Sequence, residues 1–289
     1  MSGAEQLLDA LPEGVEANLS AAEAACLIAD RIAQLPREVI PPVVGINGAQ
    51  GSGKSTIARL VAEALEQFHD LRPALLSLDN FYLGLPPRYL MEREVHPLCV
   101  TRGVPGTHDV PTMVQTFDAL DSAGARTRTP LPQFDKVSDD RLAREVWPMF
   151  EGRPAVVLLE GWCVGLQAED VPDWSGPINA LEAEMDPNGE WFQWSLAALR
   201  DDYRAIWRRI ELLISIDTPH DLELVIDSRL KQEQGLPENP EFPKMDRAAI
   251  ARFVQHYERF TRALWAAMPE RADMLFRRDR DFGYSLVKG

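Results

Sequence analysis

The chain has 289 residues, 45% of them hydrophobic, enough for one large α/β core or two smaller ones. Its formal net charge of −15 opposes a polyanion, because nucleic-acid affinity comes largely from phosphate neutralisation by lysine and arginine, so no nucleic-acid partner is expected. Cys26, Cys99 and Cys163 form no CxxC pair and read as buried reduced thiols. There is no basic-then-apolar leader and no long apolar run, so a cytoplasmic protein that meets no membrane is expected.

In chain order, residues 1 to about 19 are acidic and lack periodicity, which predicts loose order. Ser20 with Glu23 reads as a capping box ahead of Ala24, Leu27, Ile28, Ile32 and Leu35, predicting a docked helix within an N-terminal extension over residues 1–38. From residue 39 to 289 no stretch reads as a linker, so one domain is expected. Short apolar runs at 43–46, 74–78, 155–159, 212–216 and 274–276 read as buried parallel strands. Helical segments intervene at about 55–68, 111–120, 196–209 and 219–234, and a last long helix is predicted at about 246–267. This alternation predicts a doubly wound, mostly parallel sheet with helices on both faces. The aromatics of the last helix, Phe253, Tyr257, Phe260 and Trp265, sit at core spacing and read as packing. Two long proline-containing stretches, 83–111 and 126–154, read as insertions, because loops of that length are usually functional or disordered.

Between the first strand and its helix lie Gly48, Ala49, Gln50, Gly51, Ser52, Gly53, Lys54, Ser55 and Thr56, which fit GxxxxGK[ST]. The glycines let backbone N–H groups turn inward around a phosphate, Lys54 can reach the β- and γ-phosphates, and the Ser55 hydroxyl can ligate Mg²⁺. The helix N-terminus behind them adds its positive dipole end. Two other strands run into acids: Ser77 and Leu78 lead to Asp79, and Leu159 leads to Glu160. Ligands of an open parallel sheet bind beyond the carboxyl ends of its strands, so both acids are expected to face the γ-phosphate. One carboxylate would orient or deprotonate an attacking hydroxyl, and another would help hold the metal.

These residues, with Asp79-Asn80-Phe81-Tyr82-Leu83, His96-Pro97-Leu98, the run from Arg102 to Asp109, Phe134-Asp135-Lys136, Asp140-Arg141 and Glu160-Gly161-Trp162, resemble the glycerate kinase-like branch of P-loop kinases, relatives of uridine kinase, phosphoribulokinase and bacterial-type pantothenate kinase. The resemblance implies a P-loop NTPase fold with substrate-capping loops and a lid near residues 228–245. It implies that Asp79 is the catalytic base and that Glu160 helps Ser55, and Asp79 itself, hold Mg²⁺. Such kinases usually have a second acid where Asn80 stands; an amide there can still orient a hydroxyl or a metal-bound water. Arg229 is the lid candidate for a cation that closes over the phosphates, the alternative being an exposed helix arginine. The acceptor side of the resemblance comprises Asn80, Tyr82, Arg102, Thr107, His108, Asp135, Lys136 and Arg141. For His108 a structural donor role stands beside the substrate role, and for Asp135, Lys136 and Arg141 the alternative is a solvated loop with surface ion pairs.

The expected activity is therefore phosphoryl transfer from ATP, with Mg²⁺, to the hydroxyl of a small and anionic acceptor, D-glycerate being the substrate the resemblance names. Another acceptor, such as a nucleoside or a pantothenate-like molecule, and a regulatory nucleotide switch are the alternatives.

Overall fold

The computed structural model describes residues 2–11, 17–36, 40–235, 237 and 243–289. Its centre is one sheet of six strands: β1 Val43–Asn47, β2 Pro73–Ser77, β3 Val156–Glu160, β4 Ile210–Asp217, β5 Met274–Arg278 and β6 Tyr284–Lys288. They lie in the order β6-β5-β4-β1-β3-β2. All neighbours are parallel except β6, which runs antiparallel to β5 at one edge. β1 and β3 are buried at every residue, which is why their sequences are apolar throughout rather than alternating.

Successive side chains point to opposite faces, and each face has its own core. Val44, Ile46, Leu158 and Ile214 meet the helix Lys54–His69, through Ile57, Leu60 and Val61, and the helix Leu19–Ala33, through Ile28 and Ile32. Val43, Val157, Leu159 and Leu213 meet the helices Val110–Asp121, Glu190–Asp201 and Glu258–Arg271. A third, smaller cluster joins Ala49 of the phosphate loop to Val225 and Ile226 of the helix Leu222–Gly235 and to Ile250 and Val254 of the helix Arg247–Gln255. That cluster seats the helix Leu222–Gly235 directly on the phosphate loop.

Several elements differ from the sequence reading. Residues Gly3–Asp9 form a helix closed by a Ser2/Glu5 capping box, too short for its period to show in sequence. The helix Leu19–Ala33 is capped by Asn18, which accepts from the Ala21 N–H at 2.9 Å, and not by Ser20. The Ser20 hydroxyl instead accepts from the Tyr284 N–H at 3.0 Å and ties β6 to the N-terminal helix. Stretch 83–111 contains the helix Leu85–Glu94, whose prolines stand in the first turn where no N–H is missed. Stretch 126–154 folds into two small antiparallel pairs, Arg128–Pro130 with Met149–Glu151 and Phe134–Asp135 with Asp140–Arg141. The last long helix is broken at His256 and Tyr257, where the chain turns so that the Tyr257 hydroxyl donates to the Arg102 carbonyl at 2.9 Å. Of the predicted lid, residues 236 and 238–242 lie outside the described residues. Among the described residues no helix is long and apolar enough to cross a membrane.

Candidate active site

Strand register brings the site together. Glu160, the last residue of β3, stands opposite Ile46 of β1 and opposite Ser77 of β2. The phosphate loop leaves β1 one residue later, and Asp79 lies two residues beyond Ser77 in a 3₁₀ turn, Leu78–Phe81. Both acids therefore emerge at the same end of the sheet as the glycine-rich loop. Gly51 and Gly53 hold φ of +76° and +85°, and the side chains of Ser228 and Tyr284 fill the space a methyl group would need there. Two polar atoms of the loop, Gln50 Oε1 and Ser52 Oγ, are buried without a hydrogen-bond partner among the described residues. An uncompensated buried polar atom is costly, and a loop that carries two is shaped for a polar guest.

Ser55 Oγ donates to Glu160 Oε2 at 3.1 Å, and Glu160 is only 7% exposed. A hydroxyl and a carboxylate at this spacing are hard oxygen donors of the kind divalent cations of the Mg²⁺ class prefer. Among the described residues no group of three or more His, Cys, Asp or Glu side chains could hold a metal.

Asp79 sits across from this pair. Its Oδ2 accepts from Lys136 Nζ at 2.6 Å and its Oδ1 from the Tyr82 hydroxyl at 3.0 Å. Burial by itself would raise its pKa, but the charges of Lys136 and Lys54 and the Lys136 hydrogen bond outweigh burial and hold the carboxyl well below its usual range. Asp79, Lys54, Ser55, Gln50 and Gly51 line one cavity, together with Tyr82, Arg102, Lys136, Trp162, Arg229, Gln232, Phe253 and Tyr257. Arg229 is 8% exposed; its guanidinium donates to Glu233 Oε2 at 3.1 Å, lies over the Phe253 ring, and leaves Nε without a partner among the described residues.

Of the acceptor-side residues expected from sequence, Tyr82, Arg102 and Lys136 line this cavity and five do not. Thr107 is fully buried, accepting from the Gly103 N–H and donating to the Val104 carbonyl, so it shapes its own turn. His108 is buried behind Tyr82, stacked on that ring at 4.4 Å, with Nδ1 2.5 Å from the Tyr203 hydroxyl. Burial pushes its pKa down to about 3, which keeps it neutral. Asn80 accepts from the Phe134 N–H, Asp135 accepts from the Val137 N–H and from the N–H and hydroxyl of Ser138, and Arg141 pairs with Asp109 while donating to the Tyr82 carbonyl. Asn80 and Arg141 tie the second insertion to the turn that carries Asp79.

Sequence reasoning missed the rest of that scaffold. Arg88, buried in the helix Leu85–Glu94, donates to the carbonyls of Leu83, Val100 and Asp139, and Arg102 pairs with the Asp139 carboxylate. Tyr257 and Phe253, read as packing, form part of the cavity wall. The one available signal was Gly103, at φ +140°, whose missing side chain is what admits the Tyr257 hydroxyl.

No family model matches the chain. An uncharacterized kinase, mug58, of Schizosaccharomyces pombe is 28% identical over 225 residues, 75% of this chain and 78% of that protein. The chloroplastic D-glycerate 3-kinase of Arabidopsis thaliana is 26% identical over 249 residues, covering 82% of this chain and 51% of that protein. This chain is similar in sequence to kinases. It spans about half the length of the plant enzyme, whose name carries the substrate. In fold it matches the structure of D-glycerate 3-kinase from Cryptococcus neoformans with a TM-score of 0.71, at 21% identity, covering 94% of this chain and 100% of that one.

Proposed function

We propose that this protein is an ATP-dependent phosphotransferase acting on the hydroxyl of a small carboxylate-bearing acceptor, with D-glycerate the best match. The observation that carries the reading is that one cavity joins the phosphate loop, through Lys54 and Ser55, to a carboxylate, Asp79, and to three further cations, Arg102, Lys136 and Arg229. A nucleotide switch needs the first part only. A relative and a fold neighbour named D-glycerate 3-kinase support the same reading.

In this reading, backbone N–H groups of residues 48–56 and the ammonium of Lys54 cradle the triphosphate at the helix N-terminus. Ser55 and Glu160 would hold Mg²⁺, which supplies charge neutralisation at the phosphates when bound. Asp79 takes the proton of the acceptor hydroxyl. The hydroxyl oxygen forms its bond to the γ-phosphorus as the bond from that phosphorus to the β–γ bridging oxygen breaks, and the bond's electron pair leaves with ADP. Arg229, brought over the cavity by the lid helix, stabilises the charge that develops and helps exclude water. Arg102 and Lys136 face the acceptor, and a carboxylate is the group that two cations of this kind recognise.

The test is ADP formation by the purified protein with ATP and Mg²⁺. Turnover should be slow alone and strongly stimulated by D-glycerate, with a phosphorylated acid as product, and Lys54→Ala should abolish it. Turnover indifferent to hydroxy acids but responsive to a protein partner would favour the switch.

A further inference from the structure

Lys136 stands between two cavities. One is the phosphate cavity; the other opens between the turn that joins Phe134–Asp135 to Asp140–Arg141 and the lid helix. Arg102, Lys136 and Arg229 line both. Two of these cations are tethered to carboxylates of the scaffold, Arg102 to Asp139 and Arg229 to Glu233. Lys136 is tethered to Asp79, the group that must receive the proton.

That pairing has a chemical cost for catalysis. One Asp79 oxygen carries the Lys136 ammonium and the other carries the Tyr82 hydroxyl, so both are engaged before any acceptor hydroxyl arrives. An ammonium in direct contact also makes a carboxylate a weaker proton acceptor. Yet the contact is easy to break. Lys136 is 41% exposed, sits on a turn, and reaches Asp79 on a flexible four-carbon stem, whereas Arg229 is buried.

We propose that Lys136 masks Asp79 until the acceptor binds, and that the acceptor's own carboxylate, entering beside Arg102, draws the ammonium away and uncovers the base. This rests on the kinase reading above and names what switches that site on. ATP bound alone then faces a masked base, and water is not activated in the acceptor's place. A polyol without a carboxylate offers the same hydroxyl but leaves Asp79 covered, so it suffers in kcat and not in binding alone.

The experiment compares wild type, Lys136→Met and Lys136→Arg, measuring ADP formation with ATP and Mg²⁺ alone, with D-glycerate, and with glycerol. Wild type should be slow without acceptor, fast with glycerate and slow with glycerol. In Lys136→Met, acceptor-free ADP formation should rise about tenfold, the scale of one charge-assisted hydrogen bond, and the kcat advantage of glycerate over glycerol should collapse. Lys136→Arg, which keeps the cation, should restore the wild-type pattern. Unchanged acceptor-free turnover in Lys136→Met overturns the proposal, as does an equal fall of all three activities in a variant with unaltered circular dichroism. If wild type phosphorylates neither acid nor polyol, the acceptor reading fails, and the acceptor-free arm alone decides the masking: a rise in Lys136→Met supports it and no rise removes it.

Discussion

At Asp79, burial and neighbouring charge pull in opposite directions. Burial opposes the charged form, while Lys136 and Lys54 favour it, and charge wins. The carboxylate is consequently ionised throughout the neutral range, ready to accept a proton but less basic than a free aspartate. Asp79, Glu160, Lys54 and Ser55 were all legible in sequence, because strand ends and a glycine-rich loop have fixed places in an open parallel sheet. Thr107, His108 and Arg141 were not, because a polar residue in a long insertion looks the same whether it faces a ligand or a neighbouring turn.

The histidines give a pH prediction. Burial lowers His108 to about 3 and His256 to about 4, both below the ordinary 6.5. A proton is thus bound more readily by the unfolded chain, so the stability these two contribute is complete above pH 6.5 and is lost as pH falls toward about 4. Asp79, depressed from 3.8, loses its contribution only below that value and stays outside this window. The urea midpoint should fall between pH 6.5 and about 4, and His256→Phe should flatten part of the slope. A constant midpoint across that window would contradict the burial argument.

Among the elements, the inner strands were easiest to read. Val43–Asn47 and Val156–Glu160 are covered on both faces, and that demand writes itself as an uninterrupted apolar run. The edge strand Tyr284–Lys288 carries no such run, since Leu286 and Val287 are about half exposed, and it was missed. The helix Leu85–Glu94 was hidden by its own prolines, and the small antiparallel pairs of 126–154 by strands of two or three residues. The phosphate loop makes a prediction at this scale. Gly53→Ala forces a side chain into left-handed backbone, costing about 1–2 kcal/mol, and sets it against the Tyr284 hydroxyl. Nucleotide affinity should weaken along with stability. Gly176→Ala is the control: φ is also positive, at +116°, but nothing lies within 4 Å, so stability alone should fall. Urea denaturation and a fluorescent nucleotide titration separate the two outcomes.

Taken as a whole, the molecule places a cation-lined cavity inside a chain of net charge −15. The surface charge disfavours polyanions, while Lys54, Arg102, Lys136 and Arg229 suit a triphosphate and a small acid. Composition spoke to the first property; the second was expected from the family resemblance, and the fold brings it about by carrying Arg102 and Lys136, far in sequence from the phosphate loop, into the same cavity. The same folding makes the N-terminal helices part of the core behind the phosphate-loop helix, where Ile28 and Ile32 share a cluster with Leu60 and Val61. The central claim is that Asp79 takes the acceptor's proton while the phosphate loop holds the nucleotide. It is tested most directly by comparing phosphoryl transfer to D-glycerate in wild type and Asp79→Asn, with nucleotide affinity measured on the same samples. The account predicts one phosphorylated acid per ADP from wild type, and a transfer rate about 10²–10⁴-fold lower in Asp79→Asn at unchanged nucleotide affinity. Equal transfer rates in the two proteins would contradict it.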